Sequence, residues 1–184
     1  MAPNENTATL EGSPSPVVQI RQYRSEDQTD VVKLFSAGML HYATENIEFW
    51  EGYVQQSIHD DLADIGGVYM KPGGNFWVAT IEDKIVGMVG LEAKPNQEGE
   101  LRRMSVNHEY RRYGIGRLLI AHLEAWAAAN GFTKVWLSTG GVMTQARKFY
   151  LSLGYDHTKT EVYSQDPYFE AMFYAKTVAP SQAA

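Results

Sequence analysis

The stretch "EYRRYGIGR", Glu109 to Arg117, runs directly into "LLIAHLEAWAAA", Leu118 to Ala129. Leu119, Leu123, Trp126 and Ala127 in the second part recur at i, i+4, i+7 and i+8, one apolar stripe of an amphipathic helix. Asn130–Gly131 stops it. The first part therefore sits at a helix start. The first turn of a helix leaves backbone N–H groups unpaired, and the aligned peptide dipoles add partial positive charge there. Glycine lets an anion approach that backbone, and arginine supplies forked donors matched to phosphate oxygens. The loop reads as a phosphate cradle. Its bland alternative is a solvated basic turn that only caps the helix.

Two familiar phosphate signatures do not fit. A Walker loop needs glycine, four residues, then Gly-Lys-Ser/Thr, which is absent, and the dinucleotide fingerprint needs a third glycine where Leu119 stands.

Around this centre the chain alternates strand and helix patterns. "VVQIRQY" (Val17–Tyr23) is a strand candidate, and Ser25 with Gln28 has capping-box spacing for a first helix. Ile47, Trp50, Val54, Ile58 and Leu62 mark a longer helix from Thr44 to about Ile65. "NFWVATIE" and "KIVGMVGLEAK" read as a hairpin turning near Asp83, and "EGELRRMSVN" as a further strand. "TKVWLST" is a short buried strand. "MTQARKFYLSLG" is a helix with Ala146, Phe149, Tyr150 and Leu153 on one face. Strands around Thr158–Tyr163 and Tyr168–Thr177 close the chain. This order is a mixed α/β domain over residues 17–178, with loose tails at 1–16 and 179–184.

Composition narrows the classes. With 184 residues, 44% hydrophobic, the chain suits one domain with a real core. No apolar run approaches the roughly 18 residues of a membrane helix, and the polar start lacks a secretory pattern, so a cytoplasmic protein without a membrane partner is expected. The absence of cysteine removes disulfides, thiolate metal sites and cysteine nucleophiles. His41, His59, His108, His122 and His157 show no ligand spacing, so no metal is expected. The net charge of −6 is uneven: nine acids face one base between Glu26 and Asp64, while five arginines face one acid between Arg102 and Arg117. That basic patch is too narrow to suggest a nucleic-acid partner.

Arg111-Arg112-Tyr113-Gly114-Ile115-Gly116 resembles the pyrophosphate loop of the GNAT acetyltransferases, which use acetyl-CoA. In that loop an arginine or glutamine is followed by two residues of any kind, then glycine, any residue, and glycine or alanine. "LRRMSVNHEYRRYGIGRLLI" followed by "ARKFYLSLGY" is similar to the family's paired signatures, in order and at the usual separation. "ELRRMSV" is especially similar to members acting on free aspartate and on cysteine conjugates, which carry a membrane-associated hydrophobic segment not seen in this chain. The resemblance implies an α/β GNAT fold: a central, mixed, mostly antiparallel sheet of about seven strands flanked by about four helices. It implies that backbone groups of Met104, Ser105 and Val106 hold the pantetheine arm. The loop Arg111, Arg112, Tyr113, Gly114, Ile115, Gly116 and Arg117 would hold the pyrophosphate. It leans toward a homodimer, since relatives often pair through their late strands.

Acetyl transfer to an amine needs a base and a proton donor. Glu100, six residues before Val106, sits in a register similar to that of the glutamate base in the family's histone-acetylating branch, which makes it the base candidate, with Glu98 as a weaker substitute. The alternative for Glu100 is a surface carboxylate paired with Arg102 or Arg103. Strand alternation puts Glu100, Arg102, Met104 and Val106 on one face unless a bulge intervenes. Tyr150 matches the tyrosine beside the coenzyme sulfur in many relatives and is the acid candidate; as an aromatic on a helical stripe it is otherwise core. Met143 stands where the family often has asparagine, so that contact to the coenzyme is either lost or supplied elsewhere, by Thr144 or Gln145. Arg147 either reaches a phosphate or faces solvent.

The expected function is N-acetyltransfer from acetyl-CoA to a primary amine of a small molecule: an amino acid, its conjugate, or a polyamine-like amine. Alternatives are a non-catalytic acetyl-CoA-binding module, a protein lysine or N-terminal acetyltransferase, and an unrelated phosphate-binding domain. Glu45, Glu48, Glu51, Asp60, Asp61 and Asp64 would draw a cationic acceptor if they lie open; otherwise they are a solvated helix face. Arg102 or Arg103 would fork onto the carboxylate of an amino acid. Phe49, Trp50, Tyr53 and Tyr69 are candidates for the acceptor wall or for core.

Overall fold

A computed structural model describes residues 17–41, 46–111 and 113–178. The expected tails, Glu45 and Arg112 lie outside the described residues. The strands are β1 (Gln19–Gln22), β2 (Asn75–Ile81), β3 (Lys84–Lys94), β4 (Glu98–Val106), β5 (Lys134–Gly140), β6 (Asp156–Gln165) and β7 (Tyr168–Thr177). The α-helices are α1 (Gln28–Leu40), α2 (Ile47–Ser57), α3 (Ile115–Ala129) and α4 (Thr144–Ser152).

One sheet runs β1-β2-β3-β4-β5-β7-β6. Neighbouring strands are antiparallel except β4 and β5, which are parallel. Each sheet face has its own core. Val31, Leu34 and Phe35 of α1 and Val54 of α2 pack with Phe76, Val78 and Met88 on one face. Leu119, Leu123 and Ala127 of α3, with Tyr150 of α4, pack with Trp77, Val89 and Leu101 on the other. The apolar stripe read in the sequence of α3 is thus the stripe that is buried. The β2–β3 hairpin turns through Glu82 (φ 47°) and Asp83 (φ 63°), a pair of positive φ values that suits the right-handed strand twist.

Three local expectations shift. The first helix is preceded by a 3-10 turn, Ser25–Asp27, and Asp27, not Gln28, reaches back to accept the Arg24 N–H at 2.8 Å. The second helix starts at Ile47 and does not stay α-helical to Ile65: a π turn, Ile58–Leu62, follows Ser57, closed by the Ala63 N–H to the Ile58 carbonyl at 2.8 Å. The wider turn carries Asp61 inward, to 1% exposure. In β4, Arg102 pairs with Gly90 and Ser105 with Met88, so an extra residue bulges out around Arg103 (φ 55°).

That bulge and the parting of β4 from β5 shape the middle of the molecule. β4 and β5 pair only through Glu98–Glu100 against Lys134–Trp136. Beyond Glu100 the two strands separate, and a cleft opens between them.

Candidate functional site

The N-terminus of α3 faces this cleft. Gly114, the residue before the helix, has φ +72°, and a Cβ there would meet nothing within 4 Å. Glycine is needed for the left-handed backbone and leaves the approach open. The first main-chain bond back to the loop is the Leu118 N–H to the Gly114 carbonyl, 3.1 Å, so the N–H groups of Ile115, Gly116 and Arg117 have no partner within the helix. At Gly116 a Cβ would press on Phe149 at 3.1 Å and Met104 at 3.3 Å, so this glycine lets the first turn seat against β4 and α4. Arg111 and Arg117 are exposed on the cleft wall, and Arg117 Nη2 donates to Ser152 Oγ at 2.9 Å. Tyr113 is half exposed against Tyr110, ring centroids 6.4 Å apart, and lies off the cleft wall.

The cleft holds about 660 Å³. Its floor is β4, and here the bulge corrects the simple alternation. Met104 and Val106 join Leu101 in the core on the α3 side. Glu100, Arg102, Arg103 and Ser105 lie on the α1–α2 side. The set Glu100, Arg102, Met104 and Val106 is therefore split between the two faces, because the extra residue inverts the alternation from Arg103 onward. All of them still line the cleft, which passes between the parted strands. Ser105 is 8% exposed and its hydroxyl has no partner.

Glu100 is half-buried, and its ion partner is neither Arg102 nor Arg103. Lys94 Nζ lies 2.9 Å from Glu100 and 2.7 Å from Glu92, and Arg102 Nη1 lies 2.7 Å from Glu92. Burial works against the charge on Lys94, but Glu92 and Glu100 outweigh it and raise its pKa. Burial also works against the Glu92 carboxylate, but Lys94 and Arg102 outweigh it and hold its pKa below the usual range. Glu98 pairs with Lys134 at 3.1 Å and lies off this cleft.

Tyr150 lines the opposite wall while also belonging to the core, 6% exposed among Phe149, Tyr155 and Tyr174. The two readings of this residue are compatible: its ring packs inward and its position borders the cleft. Met143 and Gln145 border the cleft as well, whereas the exposed Thr144 hydroxyl turns back to the Val142 carbonyl at 3.4 Å. Of the two substitutes considered for the missing asparagine, Gln145 is the one at the wall. Arg147 neither reaches the loop nor faces open solvent; its Nη1 donates to the Gly141 carbonyl at 3.0 Å.

Trp50 and Tyr53 of α2, Phe35 of α1 and Phe169 of β7 form an aromatic side wall. Phe49 stands behind it, 5.3 Å from Phe169 between ring centroids, and Tyr69 is fully buried in the core. The acidic front is not a single open cluster. Glu48, Glu51, Asp60 and Asp64 are exposed, but Asp61 is buried against the Arg103 guanidinium and also accepts from the Tyr69 hydroxyl. Sequence reasoning missed this contact. Its trace was present in Tyr53, Ser57 and Asp61, polar groups repeating every four residues along the helix. Among the described residues no three metal-ligating side chains are gathered, and no helix is long and apolar enough to cross a membrane.

Residues 39–155 match the acetyltransferase (GNAT) family. The N-acetylaspartate synthetase of Xenopus tropicalis is 38% identical over 133 residues, covering 70% of this chain and 48% of that protein. Human N-acetyltransferase 8 is 35% identical over 117 residues, covering 59% of this chain and 51% of that protein. The chain thus spans about half the length of these curated relatives. A crystal structure of a GNAT-family acetyltransferase from Staphylococcus aureus Mu50 superposes with a TM-score of 0.75 at 22% identity, covering 88% of this chain and 99% of that one, a likeness of fold.

Proposed function

This chain belongs to the GNAT acetyltransferase family, and on that premise we propose that it moves an acetyl group from acetyl-CoA to a primary amine of a small molecule by direct attack. One observation carries the reading. A single cleft is bordered by the α3 N-terminal loop, by Glu100 and by Tyr150.

In this reading the unpaired N–H groups at the start of α3 and the loop arginines hold the pyrophosphate. The pantetheine arm lies along Met104, Ser105 and Val106, where β4 has lost its β5 partner and its backbone is open to pairing. A free alkylamine has a pKa of about 10.4, so its nitrogen must lose a proton before it can attack. Glu100 takes that proton, directly or through water. The nitrogen forms a bond to the thioester carbonyl carbon, and a β4 backbone N–H near Val106 stabilises the developing oxyanion. The carbon–sulfur bond then breaks, and the Tyr150 hydroxyl protonates the departing thiolate.

The acceptor favoured is an amino acid or an amino-acid conjugate. Two relatives bear the names N-acetylaspartate synthetase and N-acetyltransferase 8. Arg102 suits a carboxylate better than Arg103 does, since 27% of its side chain is exposed against 7%. A polyamine is less favoured, because Asp61, an acid expected to attract it, is already paired.

The test is release of the coenzyme thiol with a panel of amines: aspartate, S-substituted cysteines, spermidine and a lysine peptide. Turnover of an amino-acid acceptor, lowered about 10²- to 10⁴-fold in Glu100→Gln, is the expected result. Binding of acetyl-CoA with no thiol released by any amine would favour the binding-module reading.

A further inference from the structure

The bulge in β4 places Arg103 in a left-handed conformation, φ 55°, which a non-glycine side chain adopts at a cost and which surrounding contacts must hold. Its side-chain hydrogen bonds run to one helical segment, α2 and its π turn. Arg103 Nη1 donates to Ser57 Oγ at 2.9 Å and approaches the Tyr53 hydroxyl at 3.5 Å. Its Nε lies 2.9 Å from Asp61 Oδ2 and 3.1 Å from Oδ1, and Nη2 also reaches the carboxylate. Tyr53, Ser57 and Asp61 follow one another at intervals of four along α2 and its π turn. The guanidinium also sits 4.9 Å over the Phe35 ring of α1. Asp61 is anchored in turn by the Tyr69 hydroxyl.

This arginine is closed off from a substrate: its side chain is 7% exposed and its Asp61 partner 2%. Each of its three nitrogens already donates within the protein. What it joins are two working parts of the cleft. The bulge lies between Glu100 and the Met104–Val106 segment, and α2 supplies Trp50 and Tyr53 of the aromatic wall.

We infer that Arg103 is a positioning residue that fixes the α2 wall of the acceptor side to the β4 bulge where the acetyl group is delivered. This rests on the acetyltransferase reading above. A single fork can do this because a planar guanidinium has five donors in fixed directions. Lysine has the charge but cannot span Ser57 and both Asp61 oxygens at once.

The experiment follows amide hydrogen exchange with and without acetyl-CoA, alongside steady-state kinetics. It uses wild type, Arg103→Lys, and the double variant Arg103→Gly with Asp61→Asn. Glycine accepts the positive φ, so the bulge stays allowed, and the second change removes a buried carboxylate that would otherwise keep only the more distant Arg102, 3.6 Å away, as its cation. In wild type, acetyl-CoA should slow exchange at the first turn of α3 and also across residues 47–62. In the double variant the α3 protection should persist and the 47–62 protection should vanish. The acceptor kcat should fall roughly 10- to 100-fold at an acetyl-CoA Kd changed by less than about twofold. Arg103→Lys should fall between the two.

Equal protection of residues 47–62 in wild type and double variant, or none in wild type, would overturn the inference whatever the activity does. An unchanged kcat with only a lower Tm would overturn it too, since that is the mark of a merely structural tie. If wild type turns over no amine, the acetyltransfer reading fails, and the exchange comparison still decides the coupling.

Discussion

Lys94 Nζ stands 2.9 Å from the Glu100 carboxylate, with Glu92 on its other side. Glu100 is thereby one end of a strip of alternating charge that continues through Lys94, Glu92 and Arg102 to Asp61. The strip holds the Glu100 side chain in place beside the cleft. Replacing Glu100 with glutamine removes the proposed base and preserves the shape. The expected loss in kcat is about 10²- to 10⁴-fold, with acetyl-CoA affinity unchanged. The deficit should shrink as pH approaches the amine's own pKa of about 10, because the acceptor then arrives neutral. A pH series of thiol release checks both points; a deficit that stays constant with pH would remove Glu100 from the role of base.

Tyr150 combines core packing with a place at the cleft wall. Tyr150→Phe keeps the ring against Phe149, Tyr155 and Tyr174 and removes only the hydroxyl. It should lower kcat by at least about tenfold and cost far less stability than loss of the ring. Tyr150→Ala should instead cost about 3–5 kcal/mol of stability. Wild-type turnover in the phenylalanine variant would leave Tyr150 as a core residue alone.

Arg102 offers a test between the acceptor classes. Arg102→Gln should raise KM for carboxylate-bearing acceptors by roughly 10- to 100-fold, the scale of one charge-assisted hydrogen bond pair. It should leave KM for a polyamine where it was. KM values measured side by side for aspartate and spermidine decide this, and no change for any acceptor would end the carboxylate-fork idea.

Away from the cleft, Arg21 grips Asp27 through two contacts of 2.7 and 2.8 Å. This pairing holds the Asp27 carboxyl below its usual pKa against the opposing effect of burial, with help from the Arg24 N–H. A depressed carboxyl stabilises the fold above its unfolded pKa, about 3.9, and loses that contribution as pH falls through the folded value. Asp27→Asn should therefore unfold about 1–2 kcal/mol more easily at pH 7. The gap should narrow below about pH 4. Urea melts at pH 7, 5 and 3 test the sign.

The parts of this molecule legible in its sequence are those written in neighbouring residues. The apolar stripe of α3, the glycines before it and the hairpin near Asp83 each follow from local spacing. The bulge at Arg103 does not, because it exists only relative to Met88 and Gly90 on the adjacent strand. Local sequence groups Asp61 with its acidic neighbours, because its partner lies 42 residues away in the chain. The capping of the first helix moved by one residue because the longer-range Arg21 pair places Asp27, rather than Gln28, beneath the turn. Arg147 reads from sequence as a phosphate ligand or a solvated side chain, but it is occupied by the Gly141 carbonyl across a loop that spacing alone does not close.

The most direct measurement is thermal unfolding with and without acetyl-CoA for wild type and Gly114→Trp. Gly114 is the open, positive-φ position at the entry to α3, where a large side chain would fill the space assigned to the pyrophosphate. Ligand at 100 times its Kd, bound to the folded state alone, should stabilise wild type by about 2.7 kcal/mol. The account predicts that shift in wild type and its loss in a variant that still folds. No shift in wild type at saturating acetyl-CoA, or an equal shift in Gly114→Trp, would contradict it.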